Sequence, residues 1–307
     1  MVPVFIIGEL NVDLVLSGAG RLPAYGTEVV ADDFIMTLGS ASAICAVGLA
    51  RLGHQVAFAG KVGVDPWGTY CVELLREAGV AVNAVERDPR AKTGVTISLT
   101  SARDRALVTY PGAMIAFDAA NLPATLFSRP GHLHVSSYFL QAGMRRAWRS
   151  IFERARTHGW SISLDPGFDP TDRWNDGLLD LLPLVDVLLP NELELEGLTG
   201  ATDTHAALAR LDNGRTLTIA KLGERGGMAI VDGRSVHVPP PPFPAVDTTG
   251  AGDSFNAGFL HTWLSSRSVV DSLRAAVACG ALSTRALGGT AAQPSEPELE
   301  ACLRDSW

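Results

Sequence analysis

Cysteine is scarce: the chain of 307 residues holds four, Cys45, Cys71, Cys279 and Cys302, far apart and without a Cys-x-x-Cys pair. This excludes a zinc knuckle, a dithiol redox motif and a disulfide scaffold, and leaves reduced structural thiols. Positive charge is short too, with Lys+Arg at 25 against Asp+Glu at 33 and a formal net charge of −8. Without a basic block the footprint of a nucleic-acid binder is missing, so no nucleic-acid partner is expected. Long hydrophobic runs are absent. The longest uncharged stretch, Phe34 to Ala50, is interrupted by Gly39, Ser40 and Ser42, and it falls short of the ~20 residues a membrane helix needs, so no membrane partner is expected. Met1 to Gly8 carries no basic region and reads as a first buried strand instead of a signal peptide, which makes the cytoplasm the expected compartment. Two phosphate motifs are also missing. Lys61 is followed by Val62 and lacks the spacing of GxxxxGK[ST], and no GxGxxG opens a helix after a strand, so a P-loop NTPase and a nicotinamide dehydrogenase both lose ground.

What is present is an ordinary globular composition, 47% apolar and 19% charged, at a length that allows one large domain or two ordinary ones. Short apolar runs at Val4–Ile7, Val56–Ala59, Leu133–Ser136, Ile162–Leu164, Val185–Leu189, Leu217–Ala220 and Met228–Val231 alternate with longer amphipathic segments such as Trp67–Ala78, Arg145–Thr157 and Thr204–Leu211. Strands without period-two alternation, separated by helices, predict an α/β fold: a doubly wound, mainly parallel sheet flanked by helices. Asn11–Leu38 and Thr93–Tyr110 break the rhythm with Val/Thr/Ile-rich segments and no helix between them. They predict extra antiparallel strands, a small β-sheet lid built from two insertions at about 11–38 and 93–110 of a single domain spanning 1–307. Four prolines from Pro239 to Pro242 predict an extended connector.

The strongest chemical signal is the run Asp247-Thr248-Thr249-Gly250-Ala251-Gly252-Asp253-Ser254-Phe255-Asn256-Ala257-Gly258-Phe259. A Gly-Ala-Gly loop opening an apolar helix directs backbone N–H groups and the positive helix end at one point, an anion site. A carboxylate beside it, Asp253, is placed to take a proton from a hydroxyl that attacks a phosphate held there. Asp253 also reads as a stabilising acid at a helix N-terminus; the length of the run favours the site.

This run resembles the C-terminal signature of the ribokinase-like (PfkB) family of carbohydrate kinases. Gly39-Ser40-Ala41-Ser42-Ala43, followed by Ala50-Arg51-Leu52-Gly53 and Gly60-Lys61-Val62-Gly63-Val64-Asp65, resembles the N-terminal signature. Gly8-Glu9-Leu10-Asn11-Val12-Asp13, Asn191-Glu192-Leu193-Glu194 and Leu222-Gly223-Glu224-Arg225-Gly226-Gly227 also occur in family order, so the resemblance covers the whole chain. It implies an ATP-dependent transfer of the γ-phosphoryl group to a hydroxyl, a primary one, of a sugar or sugar derivative. Asp253 resembles the catalytic base, and Gly250, Ala251 and Gly252 the anion hole. Asn11 and Asp13, with Gly39 and Ser40, look like sugar contacts, although a short polar side chain at Asn11 or Asp13 also serves to cap a turn. Ser137 and Tyr138, just past a strand end, are further candidates to line the sugar cleft.

Asn191 and Glu194 resemble the motif that organises Mg2+ and the nucleotide phosphates, with Glu194 serving the ion directly or through water; the acidic run there equally reads as a solvated helix start. Lys221, Gly223 and Gly226 fall in the loop along the ATP, and Gly288 where the family closes over adenine. Asp247 and Thr249 correspond to a monovalent-cation (K+) site in some members. Exposed edges of the lid would suit a homodimer. The chain departs from the family where Ser40 and Ile44 replace a second Gly and a sugar-contacting Asn, where Met114 replaces Asn, and at Gly167-Phe168. An apolar Ile cannot hydrogen-bond a hydroxyl, so these departures bear on which sugar is used. A nucleoside kinase and a catalytically silent sugar-binding regulator are the alternatives. His132 and His134 read as strand residues, and Trp148, Trp160 and Trp263 as core aromatics.

Overall fold

The computed structural model describes residues 2–19, 21–100, 105–174 and 176–307. In chain order the strands are β1 (Val4–Ile7), β2 (Asn11–Ser17), β3 (Asp33–Leu38), β4 (Val56–Gly63), β5 (Ala81–Asp88), β6 (Gly94–Thr100), β7 (Arg105–Tyr110), β8 (His132–Val135), β9 (Ser161–Leu164), β10 (Val187–Leu188), β11 (Leu217–Lys221), β12 (Gly227–Val231) and β13 (Arg234–Val238). The helices are α1 (Ala41–Arg51), α2 (Pro66–Glu77), α3 (Trp148–Thr157), α4 (Leu178–Leu181), α5 (Glu192–Thr199), α6 (Thr204–Leu211), α7 (Ala251–Ser266), α8 (Val269–Ser283) and α9 (Glu296–Ser306).

Nine strands form one sheet in the order β13-β12-β11-β10-β9-β8-β1-β4-β5. β1 lies between β4 and β8, parallel to both, and it is buried along its whole length. Its alternate residues feed two cores: Val4 and Ile6 belong to the cluster that includes Ala257, Phe259 and Leu273 of α7 and α8, while Phe5 and Ile7 belong to the one that includes Ile151, Phe152 and Leu208 of α3 and α6. A strand covered on both faces has no polar side to show, which is why it reads as an unbroken apolar run. The mainly parallel sheet flanked by helices is the fold class expected. One edge departs from it, since β12 pairs antiparallel with β11 and with β13. Helix α3 begins at Trp148, after a short 3-10 turn at Ala142–Met144, and not at Arg145.

Strand order reverses around β1, where the chain moves outward through β4 and β5 and then returns to β8 on the other side. The crevice beyond the carboxyl ends of such strands is where open α/β sheets bind ligands.

A second sheet, in the order β3-β2-β6-β7, comes from the two segments that broke the α/β rhythm. Its outer pairs are antiparallel. Its central pair, β2 with β6, is parallel, which corrects the expectation of antiparallel strands throughout: each insertion supplies one hairpin, and the two hairpins join through strands that run the same way. Period-two alternation separates its faces. Asp13, Thr96, Ser98, Leu107 and Thr109 line a cleft, while Phe34, Met36, Ile97, Val108 and Tyr110 on the opposite face are exposed. Among the described residues no helix is long and apolar enough to cross a membrane.

Candidate active site

Gly250 is the N-cap of α7, with φ 72. A Cβ there would stand 2.7 Å from Gly289 Cα, so both the left-handed backbone and the close approach require glycine. The turn ties Ala251 N–H to Thr248 O at 3.2 Å. The N–H groups of Gly250 and Gly252 have no partner among the described residues, and as the first amides of a helix they face outward. Asp253 follows in the first turn. The loop before it is fixed by Asp247, which is buried and accepts from Thr249 N (2.9 Å), Thr249 Oγ1 (2.8 Å) and Gly288 N (2.8 Å).

Asp253, Gly250 and Thr249 line one cleft of about 180 Å³ together with Asn11, Asp13, Ser40 and Ser137. Residues whose sequence positions span most of the chain therefore face one another across the switch point of the sheet. Asn11 Nδ2 donates to Asp13 Oδ1 (2.9 Å) and Thr96 Oγ1 (3.1 Å). Gly39 does not line the cleft but makes this pair possible, since a Cβ on it would fall 2.1 Å from Asp13 Oδ1. Ser40 Oγ caps α1 by accepting from Ala43 N at 3.0 Å. Ile44 and Met114 also line the cleft. Tyr138 does not: it is buried in the core, its hydroxyl donating to Asp176 O at 2.7 Å.

A buried charge network lies beneath α7. Lys221 Nζ donates to Asp165 Oδ2 at 2.6 Å, and Asn256 Nδ2 donates to the same oxygen. The ammonium reaches to 3.8 Å from where a Cβ on Gly252 would stand, which puts it under the glycine loop. Asn191 and Glu194 form a reciprocal capping box on α5, Glu194 N to Asn191 Oδ1 at 2.9 Å and Asn191 N to Glu194 Oε2 at 2.8 Å. Glu194 is buried whereas Glu192 and Glu196 are exposed. Burial, reinforced by the charge of Asp165, pushes the Glu194 carboxyl up to about 8. Burial pulls Lys221 down, but Asp165 and Glu194 outweigh it and hold the ammonium above its ordinary value.

The other expected nucleotide residues are spread out. Gly223 lies in an exposed 3-10 turn, Gly223–Arg225, whose Arg225 pairs with Glu192 at the start of α5. Gly226 is turned against Val238 of β13, and Gly288 sits with Asp247 and against Thr37 of β3. His132 and His134 are fully buried and bonded to Ser161, Ser163 and Ser136 hydroxyls. No group of three or more metal-ligating side chains occurs among the described residues. Three residues have no role assigned from the sequence: Glu9 and Asn256, which lie inside quoted motifs, and Asp165. Asp165 had a positional signal, since it directly follows β9 at the ligand-binding end of the sheet.

A glycine loop with an acid in its first turn, set against a polar cleft at the switch point, is an arrangement suited to phosphoryl transfer to an alcohol, and the comparisons with known proteins give the class, a carbohydrate kinase. The chain belongs to the pfkB family carbohydrate kinases, whose family model matches residues 1–296. It is 34% identical over 320 residues to a fructokinase of Klebsiella pneumoniae, covering 98% of this chain and 99% of that one. Among solved structures it superposes with TM-score 0.88 on an Escherichia coli protein described as a ribokinase II in complex with ATP and Mg2+, at 23% identity and covering 99% and 100% of the two chains. A double mutant of Vibrio cholerae fructokinase, bound to fructose, ADP and a potassium ion, superposes with TM-score 0.83 at 25% identity, covering 99% and 98%.

Proposed function

We propose that the protein transfers the γ-phosphoryl group of ATP to a primary hydroxyl of a monosaccharide, with Asp253 as the base that takes the hydroxyl proton. One observation carries this reading: Asp253 and Gly250 line the same small cleft as Asn11, Asp13, Ser40 and Ser137. Base, anion loop and hydroxyl-binding groups are thereby within reach of one acceptor. As the hydroxyl oxygen attacks, charge develops on the moving phosphoryl group, and the glycine-loop amides together with the α7 dipole stabilise it. Lys221 adds a fixed positive charge beneath the loop, and Asn191, Gly223, Gly226 and Gly288 border the nucleotide.

Magnesium supplied with ATP neutralises charge on the phosphates. The donor set fits it. Glu194 is one buried carboxylate with oxygen chemistry, and Mg2+ keeps most of its waters, so contact through water suffices. Asp247 suits a monovalent cation such as K+, with Thr249 beside it, because its buried carboxylate is met by three neutral donors and by no ion pair among the described residues.

A monosaccharide is favoured over a nucleoside by size and lining. The cleft, about 180 Å³, is below the ~300 Å³ at which pockets for larger ligands begin. Among the described residues no aromatic side chain lines it, and Tyr25, Phe34 and Tyr110, the aromatics a base would need, are exposed. A silent regulator is disfavoured by the retention of Asp253, Gly250 and Gly252. The four-stranded sheet acts as a lid whose polar face covers the sugar and excludes water. Its apolar outer face, Phe34, Met36, Ile97, Val108 and Tyr110, suits a second copy of this chain, so Val108→Asp should shift the mass in solution toward monomer. An ATP-using enzyme with four free, buried cysteines fits the cytoplasm.

The test is coupled ADP release over pentoses, hexoses, sugar acids and nucleosides, starting with fructose. Expected is slow ADP release without acceptor and a rise with one class of monosaccharide. Equal release with and without every acceptor overturns the reading.

A further inference from the structure

Glu9 follows β1 by two residues, at the crevice where strand order reverses. It is 3% exposed, yet it lines the acceptor cleft. Three donors meet its carboxylate: Ser42 Oγ at 2.6 Å from Oε2, and Ser137 Oγ at 2.9 Å and Ser42 N at 3.3 Å from Oε1. Ser40 Oγ donates to the Glu9 carbonyl at 2.6 Å. These serines come from the start of α1 and from the end of β8, so the acid is pinned from both sides of the crevice.

The backbone around it is strained. Six non-glycine residues among those described have left-handed φ, and two of them are Ser40 (φ 77) and Ser137 (φ 51). Both line the cleft and both donate to Glu9. Strained residues persist where the surroundings over-determine them, and they gather at sites that must hold a geometry. Here one strained serine, Ser137, holds the buried carboxylate and the other, Ser40, holds the main-chain carbonyl of the same residue. An ionised carboxylate offers about four acceptor positions; Ser42 and Ser137 supply three donors, and the backbone N–H of Glu9 itself is also directed at it. Burial pushes the Glu9 carboxyl up despite its serine partners, so a further donor would stabilise its charge.

We propose that Glu9 is a specificity-determining residue of the acceptor site, its carboxylate accepting a hydrogen bond from one hydroxyl of the bound monosaccharide other than the hydroxyl that is phosphorylated. This rests on the sugar-kinase reading and assigns a residue that reading leaves out. It also accounts for how the cleft recognises a polyol when Ile44 cannot.

The experiment uses a panel of monodeoxy forms of the preferred sugar, with binding measured by calorimetry without nucleotide and turnover measured with ATP. In the parent protein, removal of one particular hydroxyl should weaken binding roughly 10–100-fold, the value of a hydrogen bond to a charged group. In Glu9→Gln that penalty should collapse while penalties at other positions stay. Ser137→Ala, which frees one side of the clamp, should reduce the same penalty in part, and it decides the matter if Glu9→Gln does not fold. A deoxy profile unchanged in the folded variant overturns the proposal while leaving the kinase standing. A parent protein that neither binds nor phosphorylates any sugar overturns both.

Discussion

Lys221 and Asp165 form an ion pair, Nζ to Oδ2 2.6 Å, with both side chains at most 10% exposed. Asp165 directly follows β9, Lys221 ends β11, and the Lys221 side chain lies beneath the glycine loop. Removing the cation leaves the buried Asp165 carboxylate without its ion-pair partner. Lys221→Met is expected to destabilise the fold by about 3–5 kcal/mol, the range for one orphaned partner of a buried pair, and to weaken ATP binding. Adding Asp165→Asn should restore part of the stability and none of the ATP affinity. Denaturant unfolding and nucleotide titration of the single and double variants check this. A Lys221→Met protein as stable as the parent would show the pair to be irrelevant to the fold.

Ile44 wedges between the cleft and the anion loop. Its Cγ2 lies 3.1 Å from where a Cβ on Gly250 would stand, and its Cδ1 2.5 Å from that of Gly289. Ile44→Asn puts an amide where an apolar wall stood, so it should change the ranking of acceptors by about tenfold or more with a smaller effect on ATP KM. The thermal midpoint should fall modestly, because part of the new amide faces packed backbone. An unchanged ranking across the panel would confine Ile44 to packing.

How far the sequence led depends on where each residue sits. Strands covered on both faces, such as β1 and β9, were legible as apolar runs, and α6 was legible from its periodicity. β5 and β13 were not, because they are the two edges of the large sheet and carry polar residues such as Glu86, Asp88, Arg234 and His237. The two faces of the smaller sheet were present as alternation, but the parallel join of β2 to β6 depends on chain paths that no local pattern encodes. In the site, the Asp247–Phe259 run was legible because helix cap, anion loop and acid are contiguous. The Glu9 clamp was not: its partners Ser42 and Ser137 lie 33 and 128 positions away, and only the topology brings them together.

Acid should weaken the fold through its buried histidines. Burial, and for His54 also its neighbour His261, holds His54 at about 4, and burial holds His134 at about 4. Burial also lowers His132 and His261, the latter facing Glu296 and Glu300. In the unfolded chain these groups titrate near ~6.5. The unfolded state therefore binds more protons below that value, so stability is complete above ~6.5 and declines as pH falls toward ~4. Thermal midpoints should drop across that window, and less steeply in His54→Leu, which removes one titrating ring and its contact with His261 Nδ1 at 3.1 Å. Glu9 and Glu194, which burial raises, act in the opposite sense over the same window, so the deciding quantity is the difference between the two proteins: equal pH slopes in the parent and His54→Leu would mean that His54 is not held neutral.

Asp253 carries the role that depends most on charge and least on packing. It stands in the first turn of α7, where an acid also favours the helix dipole, so two readings compete at one residue. Asn has nearly the same shape and caps a helix almost as well, yet it cannot take a proton from the acceptor hydroxyl. If Asp253 is the base, Asp253→Asn should fold with a similar thermal midpoint and bind ATP nearly as before, while turnover falls by on the order of 10²–10⁴, the usual contribution of a positioned general base. If it only stabilises the helix, turnover should barely move. Raising the pH separates them further, because a more ionised acceptor hydroxyl bypasses the missing base and the deficit should shrink in the variant alone. Near-parental turnover in Asp253→Asn would remove the residue from the chemistry and leave the glycine loop and Lys221 as the groups acting on the phosphoryl group.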